Sequence, residues 1–103
     1  MTSIEKTLEK IGLAQNEIKV YLTLNDQGSM KAGRISKLAH MDRSSAYNAI
    51  GMLLDKGLVS YVLIGKVKWF QATGPHRILE YLKEQQEDVL AVLPELQERH
   101  KRK

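Results

Sequence analysis

Between Asp42 and Val59 the chain changes its hydrophobic period, and that change limits the folds open to it. Up to Asp55, Ala46, Ala49, Ile50 and Leu53 recur at i, i+3, i+4 and i+7, the spacing of one buried helical stripe. Asp42 can accept the free amide hydrogens of the first turn, and Gly57 can take the left-handed conformation that closes the last one. The opposite face opens with Arg43, Ser44, Tyr47 and Asn48, hydrogen-bonding groups without a carboxylate. After Gly57 the runs 58–64 and 67–72 are β-branched and aromatic, separated by Gly65-Lys66, which fits a two-residue hairpin turn with glycine first. On its own the helix reads first as an ordinary amphipathic one with a solvated face. Its neighbours decide the matter.

Upstream, Ser3 can cap a first short helix with Ile4, Leu8 and Ile11 inward, ended by Gly12. A second helix, about 15–26, turns Ile18, Tyr21, Leu22 and Leu24 inward, with Val20 widening the face, and stops at the turn cluster 25–29. A third, about 32–39, buries Ile35, Leu38 and Ala39, and His40-Met41-Asp42 leads into the fourth. A short amphipathic helix, a tight turn and a helix with a polar front form a helix-turn-helix arrangement. A purely structural pair of helices is the alternative.

The hairpin turn sets Ile64 opposite Val67, Val62 opposite Trp69, and Tyr61 opposite Phe70. Tyr61 and Phe70 then point toward the helices. Val62, Ile64, Val67 and Trp69 make an apolar face on the other side, for the tail helix or a second subunit to cover. The last helix starts with Pro75 in its first turn. Leu79, Leu82, Gln86, Val89, Leu93, Leu96 and His100 follow alternating steps of three and four, a heptad seam that predicts a dimer interface. Gln86 lowers the stability of such a seam but fixes its register. The alternative is that the stripe packs on its own domain. Pro94 predicts a kink or break near Leu93. The fold expected is mainly α with a small β-hairpin (α+β). It is a winged helix-turn-helix over 1–74, then a long amphipathic, coiled-coil-like dimerisation helix and basic tail over 75–103.

A length of 103 residues fits one domain. With no cysteine there is neither a disulfide framework nor a thiolate metal site. No apolar run approaches the roughly 20 residues of a membrane span, and the start lacks a signal-peptide pattern, so a soluble cytoplasmic protein without membrane partners is expected. Net charge is +4, but its distribution says more. Residues 29–74 carry Lys31, Arg34, Lys37, Arg43, Lys56, Lys66 and Lys68 against Asp42 and Asp55 alone. Residues 75–98 carry Arg77 and Lys83 against six acidic residues, and the tail adds Arg99, Lys101, Arg102 and Lys103. A basic middle beside an acidic helix implies a localised polyanion-binding surface. Enzyme readings fail at the residue level. His40, His76 and His100 are scattered, no glycine-rich phosphate loop is present, and Ser44-Ser45 lacks a His/Asp pairing. No catalytic residue, metal or cofactor is expected.

The phrases Leu8-Glu9-Lys10-Ile11-Gly12-Leu13, Asn16-Glu17-Ile18-Lys19-Val20-Tyr21-Leu22, Arg43-Ser44-Ser45-Ala46-Tyr47 and Asp55-Lys56-Gly57-Leu58-Val59, in that order, resemble the DNA-binding domain of the TrmB family. The resemblance runs over about residues 8–82 and implies an archaeal or bacterial transcriptional regulator, associated with the nucleoid when bound to DNA. The chain departs from the family at Ala14 and Lys31, where a capping Thr is usual, and at Asp42, which replaces a Pro. Full-length members carry a C-terminal effector domain that binds sugars, for which this chain leaves no residues, so the resemblance supports DNA binding and assigns no sugar.

The residues themselves point to double-stranded DNA as partner of a homodimer, with recognition helix 43–56 in the major groove and wing 58–72 on the backbone. Arg43, Ser44, Tyr47 and Asn48 are the groove candidates, Asn48 suited to adenine and Arg43 to guanine or phosphate. Ser45, Lys31 and Arg34 are phosphate candidates near helix starts, and Lys66 and Lys68 are wing–phosphate candidates. The alternative function is a winged-helix protein-interaction module of a transcription or other nucleic-acid assembly. Recognition of structured RNA is a third.

Overall fold

The computed structural model describes residues 3–103. Helices α1 (Ser3–Lys10), α2 (Gln15–Gln27), α3 (Ala32–Leu38) and α4 (Arg43–Asp55) precede strands β1 (Val59–Ile64) and β2 (Val67–Ala72), and α5 (Arg77–Lys101) ends the chain. Three helix ends close in the same way. After α1, Gly12 donates to the Glu9 carbonyl and Leu13 to that of Leu8; after α4, Gly57 donates to Leu54 and Leu58 to Leu53. After α3, His40 and Met41 make the equivalent bonds to Lys37 and Ser36. This two-bond closure needs a left-handed residue at its corner. Gly12 and Gly57 supply it without strain, whereas His40 adopts φ 55° as a side-chain-bearing residue. Leu13 and Leu58, just past the corners, drop into the core beside Leu8 and Leu53.

Val20, Leu24, Ile35, Ile50, Leu53 and Leu58 are the largest fully buried side chains. The α4 stripe of Ala46, Ala49, Ile50 and Leu53 is buried as its spacing requires, and α2 buries Ile18, Val20, Tyr21 and Leu24, with Leu22 half-buried. On α3, Ile35 and Ala39 are buried and Leu38 is half-buried. Glu17, a residue the apolar pattern passes over, is also buried. One carboxylate oxygen accepts the Ala14 amide at 3.0 Å and the other the Lys56 ammonium at 2.6 Å. Glu17 thus serves the α2 start, where Ala14 has no side-chain cap, and ties it to the end of α4. Two expectations for α1 do not hold. Ile4 is 61% exposed, and Ser3 is the first described residue of the helix rather than a cap ahead of it. With α1 only eight residues long, Leu8 is its fully buried contact.

The hairpin has the expected register, with Ile64 opposite Val67, Val62 opposite Trp69 and Tyr61 opposite Phe70. Its base is buried through Val59 and Phe70, but Tyr61 remains 42% exposed because the strands project beyond the helices. The outer face of Val62, Ile64 and Val67 is exposed, and α5 does not cover it. Met30 and Phe70 exchange both backbone hydrogen bonds, at 3.0 and 2.9 Å. This single-residue third strand lies just past a stretch that reads as a turn.

Gly74, Pro75 and His76 form a tight turn, accepting from Arg77, Ile78 and Leu79, so Pro75 precedes α5 instead of lying in its first turn. The break expected at Leu93 does not occur: α5 runs unbroken through Pro94. Proline deprives the Leu90 carbonyl of its intrahelical donor, but this part of the helix is solvent-exposed and water can replace the bond. Tyr81 is the buried residue of α5, and every residue from Leu82 onward is exposed. The heptad stripe therefore does not pack on its own domain; Leu79 is 58% and Leu96 52% exposed. Among the described residues no helix is long and apolar enough to cross a membrane.

The left-handed corner at His40 yields a prediction. His40→Gly is expected to raise folding stability by about 1 kcal/mol, and Gly57→Ala to lower it by about 1 kcal/mol. Urea denaturation of the two variants beside the parent measures both.

Candidate nucleic-acid interface

The front of α4 is set by its cap. The Asp42 carboxylate accepts the Ser45 amide at 2.7 Å, which starts the helix so that the apolar stripe turns inward and Arg43, Ser44, Tyr47 and Asn48 stay in solvent. That backbone bond, with a second from the Ser45 side chain, holds the Asp42 carboxyl below its usual range. Asp42 therefore stays charged and already occupies one amide of the helix start. Ser45 is half-buried, and Asp42 engages both its amide and its hydroxyl.

Two concave surfaces flank α3. A cleft of about 470 Å³ lies between the start of α3, the front of α4 and the wing, lined by Lys31, Arg43, Tyr47, Lys66 and Lys68. A broader groove of about 880 Å³ is lined by Lys31, Arg34, Lys37, Arg43 and Trp69. Lys31 and Arg43 face both. No carboxylate lines either surface. The ion pairs among the described residues, Lys56–Glu17, Arg77–Glu80 and Arg99–Glu95, use none of these cations. Uncompensated charge around a concave wall focuses the field and attracts polyanions.

Arg43 does not extend straight out from α4. Its guanidinium lies back over α3, where a Cβ on Gly33 would fall 2.8 Å from Nη2. Gly33 thus leaves room for Arg43 to reach both concave surfaces. Two of the lysines lie over aromatic rings. Lys31 Nζ sits 5.4 Å from the Trp69 ring centre, and Lys68 Nζ 4.6 Å from that of Tyr61.

The structure brings Lys31, Arg43, Tyr47, Lys66 and Lys68 together and places Arg34 in the adjoining groove. Ser44 and Asn48 are exposed on α4 outside both surfaces. The residue pattern alone did not single out Lys37 or Trp69 for this surface. The charge count held a signal for Lys37, while Trp69 read only as part of the apolar wing face. Leu79, Leu82, Gln86, Val89, Leu93 and Leu96 lie exposed along α5. No cluster of metal-ligating side chains occurs among the described residues.

A sequence model of the family described as sugar-specific transcriptional regulator TrmB matches residues 8–76. No curated protein was found to match the chain. Among solved structures, TrmBL2, described as an archaeal chromatin protein with a novel mode of DNA binding, superposes with a TM-score of 0.78 at 18% identity. That match covers 96% of this chain and 38% of TrmBL2. A MarR family transcriptional regulator from Silicibacter pomeroyi gives a TM-score of 0.60 at 15% identity, covering 94% of this chain and 61% of the other. A possible transcriptional regulator from Methanosarcina mazei gives 0.65 at 15% identity, with 94% and 88% covered. The chain thus spans less than two thirds of the length of the first two. What it shares with them is the winged helix-turn-helix fold with a long C-terminal helix.

The lowered Asp42 carboxyl has a signed consequence. A carboxyl held below its unfolded value stabilises the fold fully above about pH 4, and that contribution is lost as pH falls through the folded-state value. Asp42→Asn is expected to keep the cap and to flatten the acid limb of the stability curve. Asp42→Ala is expected to lower Tm at neutral pH. Thermal melts of the three proteins from pH 2 to pH 7, a range set about the usual carboxylate value, check both outcomes.

Proposed function

Given that the chain belongs to the TrmB family of transcriptional regulators, we propose that it is a sequence-specific double-stranded DNA-binding regulator acting as a homodimer. In this reading α4 enters the major groove and the wing, residues 58–72, lies along the backbone. The observation that carries the reading is the cleft between α4 and the wing, where Lys31, Arg43, Lys66 and Lys68 converge with no carboxylate. Phosphates of a duplex are attracted to such a wall of cations, and neutralising them releases counterions. The base-reading roles fall to Tyr47, Asn48 and Ser44 on the exposed front of α4, with Asn48 suited to adenine. Arg43, lying over Gly33, serves phosphate in this arrangement. Lys31 and Arg34 are further backbone contacts, and Ser45 joins them when its hydroxyl turns from Asp42 to a phosphate.

Residues 75–103 form the pairing element in this proposal, and residues 1–74 the reading domain. The exposed stripe Leu79, Leu82, Gln86, Val89, Leu93 and Leu96 repeats at heptad spacing, the pattern of a helix that buries itself against a copy. Two copies on one face of DNA place half-sites about 34 Å apart or at a multiple of it. A second reading, a protein-docking module, is favoured by the exposed outer wing face of Val62, Ile64 and Val67. The two readings part at low salt: a DNA reader binds arbitrary duplex and releases it steeply as salt rises, whereas a docking module does not bind it.

Selection of bound sequences from random duplexes, with sedimentation to fix stoichiometry, tests the proposal. A palindromic motif bound by two copies is the expected result; a monomer at tens of micromolar removes the paired-helix part. Lys66→Ala with Lys68→Ala is expected to weaken all sequences alike and to lower the slope of log K against log salt by up to about 2. Asn48→Ala is expected to change sequence preference, and a uniform loss across sequences counts against base reading.

A further inference from the structure

Two aromatic rings of the wing each carry a lysine, and both lysines line the cleft between α3, α4 and the hairpin. The rings belong to opposite faces of the hairpin, because Tyr61 stands opposite Phe70 and Trp69 is its neighbour along β2. The lysines reach the cleft by different routes. Lys68 leans on Tyr61 from within the hairpin. Lys31 comes from the start of α3, and the paired Met30–Phe70 backbone fixes it beside Trp69. Neither ring lines the cleft itself.

An aromatic face holds an ammonium through its quadrupole and leaves the net charge intact, whereas a carboxylate partner would neutralise it. A lysine held in this way keeps its full attraction for an anion and has less rotamer freedom to lose on binding. We propose that Trp69 and Tyr61 are positioning residues, which pre-set Lys31 and Lys68 for two backbone phosphates of duplex DNA. The proposal rests on the DNA-binding reading above. It gives Trp69 a task distinct from that of Val62, Ile64 and Val67, the apolar residues that share its face of the hairpin.

The test is a pair of double-mutant cycles on the full chain, measuring Kd for a random-sequence duplex across a salt series. Trp69→Leu is expected to weaken binding about two- to fivefold, and Trp69→Phe less. In a Lys31→Ala background Trp69→Leu is expected to add no further loss. Lys31→Ala lowers the salt slope by about 1, while Trp69→Leu leaves it at the parent value, because the charge is still present. Tyr61→Leu and Lys68→Ala are expected to behave in the same way, and the exposed position of Tyr61 keeps this second cycle usable if Trp69→Leu lowers the melting temperature. Aromatic and lysine losses that multiply in both cycles, or an unchanged Kd for both aromatic variants, overturn the proposal and leave the DNA-binding reading standing. A parent protein that fails to bind duplex at low salt overturns both.

Discussion

Lys56, Gly57 and Leu58 hold four parts of the fold at one point. The Lys56 ammonium reaches the buried Glu17 carboxylate and fixes the start of α2 against the end of α4. The Gly57 carbonyl accepts the Thr73 hydroxyl at 3.0 Å and Arg77 Nε at 3.5 Å. The Leu58 carbonyl accepts the Thr73 amide, while its own amide closes α4 onto Leu53. The end of α4, both ends of the wing and the root of α5 are therefore fastened within three residues. Gly57 makes this possible because the corner needs φ 74°, a conformation that costs an L side chain roughly 1 kcal/mol. The angle between α4 and the wing, and with it the shape of the cationic cleft, depends on that corner.

The charge arrangement follows the same architecture. Carboxylates that could spoil the cleft are used or removed elsewhere: Glu17 is buried against Lys56, and Asp42 is bound to its own helix start. The acidic residues of α5 lie on a helix whose residues stay in solvent from Leu82 onward. The charged side chains that line the two concave surfaces beside α3 are all positive. In the proposed DNA complex, such an arrangement would supply affinity through phosphates and leave sequence discrimination to a few exposed groups on α4. Two of its lysines, Lys31 and Lys68, rest against the rings of Trp69 and Tyr61.

Helix order and hairpin register were legible in the sequence because each rests on a local rule. The i, i+3, i+4, i+7 stripe of α4, the Asp42 cap and the Gly65-Lys66 turn fix their elements without reference to the rest of the chain. The ordered phrases around Gly12, Arg43 and Gly57 were sufficient to point to the TrmB family, and its sequence model matches residues 8–76. Local rules failed where a distant partner or the solvent decided the outcome. Ile4 has the spacing of a core residue but no neighbour to bury it, and Pro94 sits in a helix exposed enough for water to take the lost hydrogen bond.

By itself, then, the sequence determined the order of the elements, the Asp42 cap, the glycine corners at Gly12 and Gly57, the hairpin turn, the class of the fold and the concentration of positive charge in residues 29–74. Only the tertiary structure decided which of those charges meet. Lys31 and Lys68 are separated by 37 positions, and Glu17 and Lys56 by 39; no periodicity spans such distances. The Met30–Phe70 pairing, which joins the start of α3 to the wing, is a contact of two backbones that carries no side-chain pattern. Its effect is to set Lys31 over Trp69 and to turn scattered basic residues into a single surface.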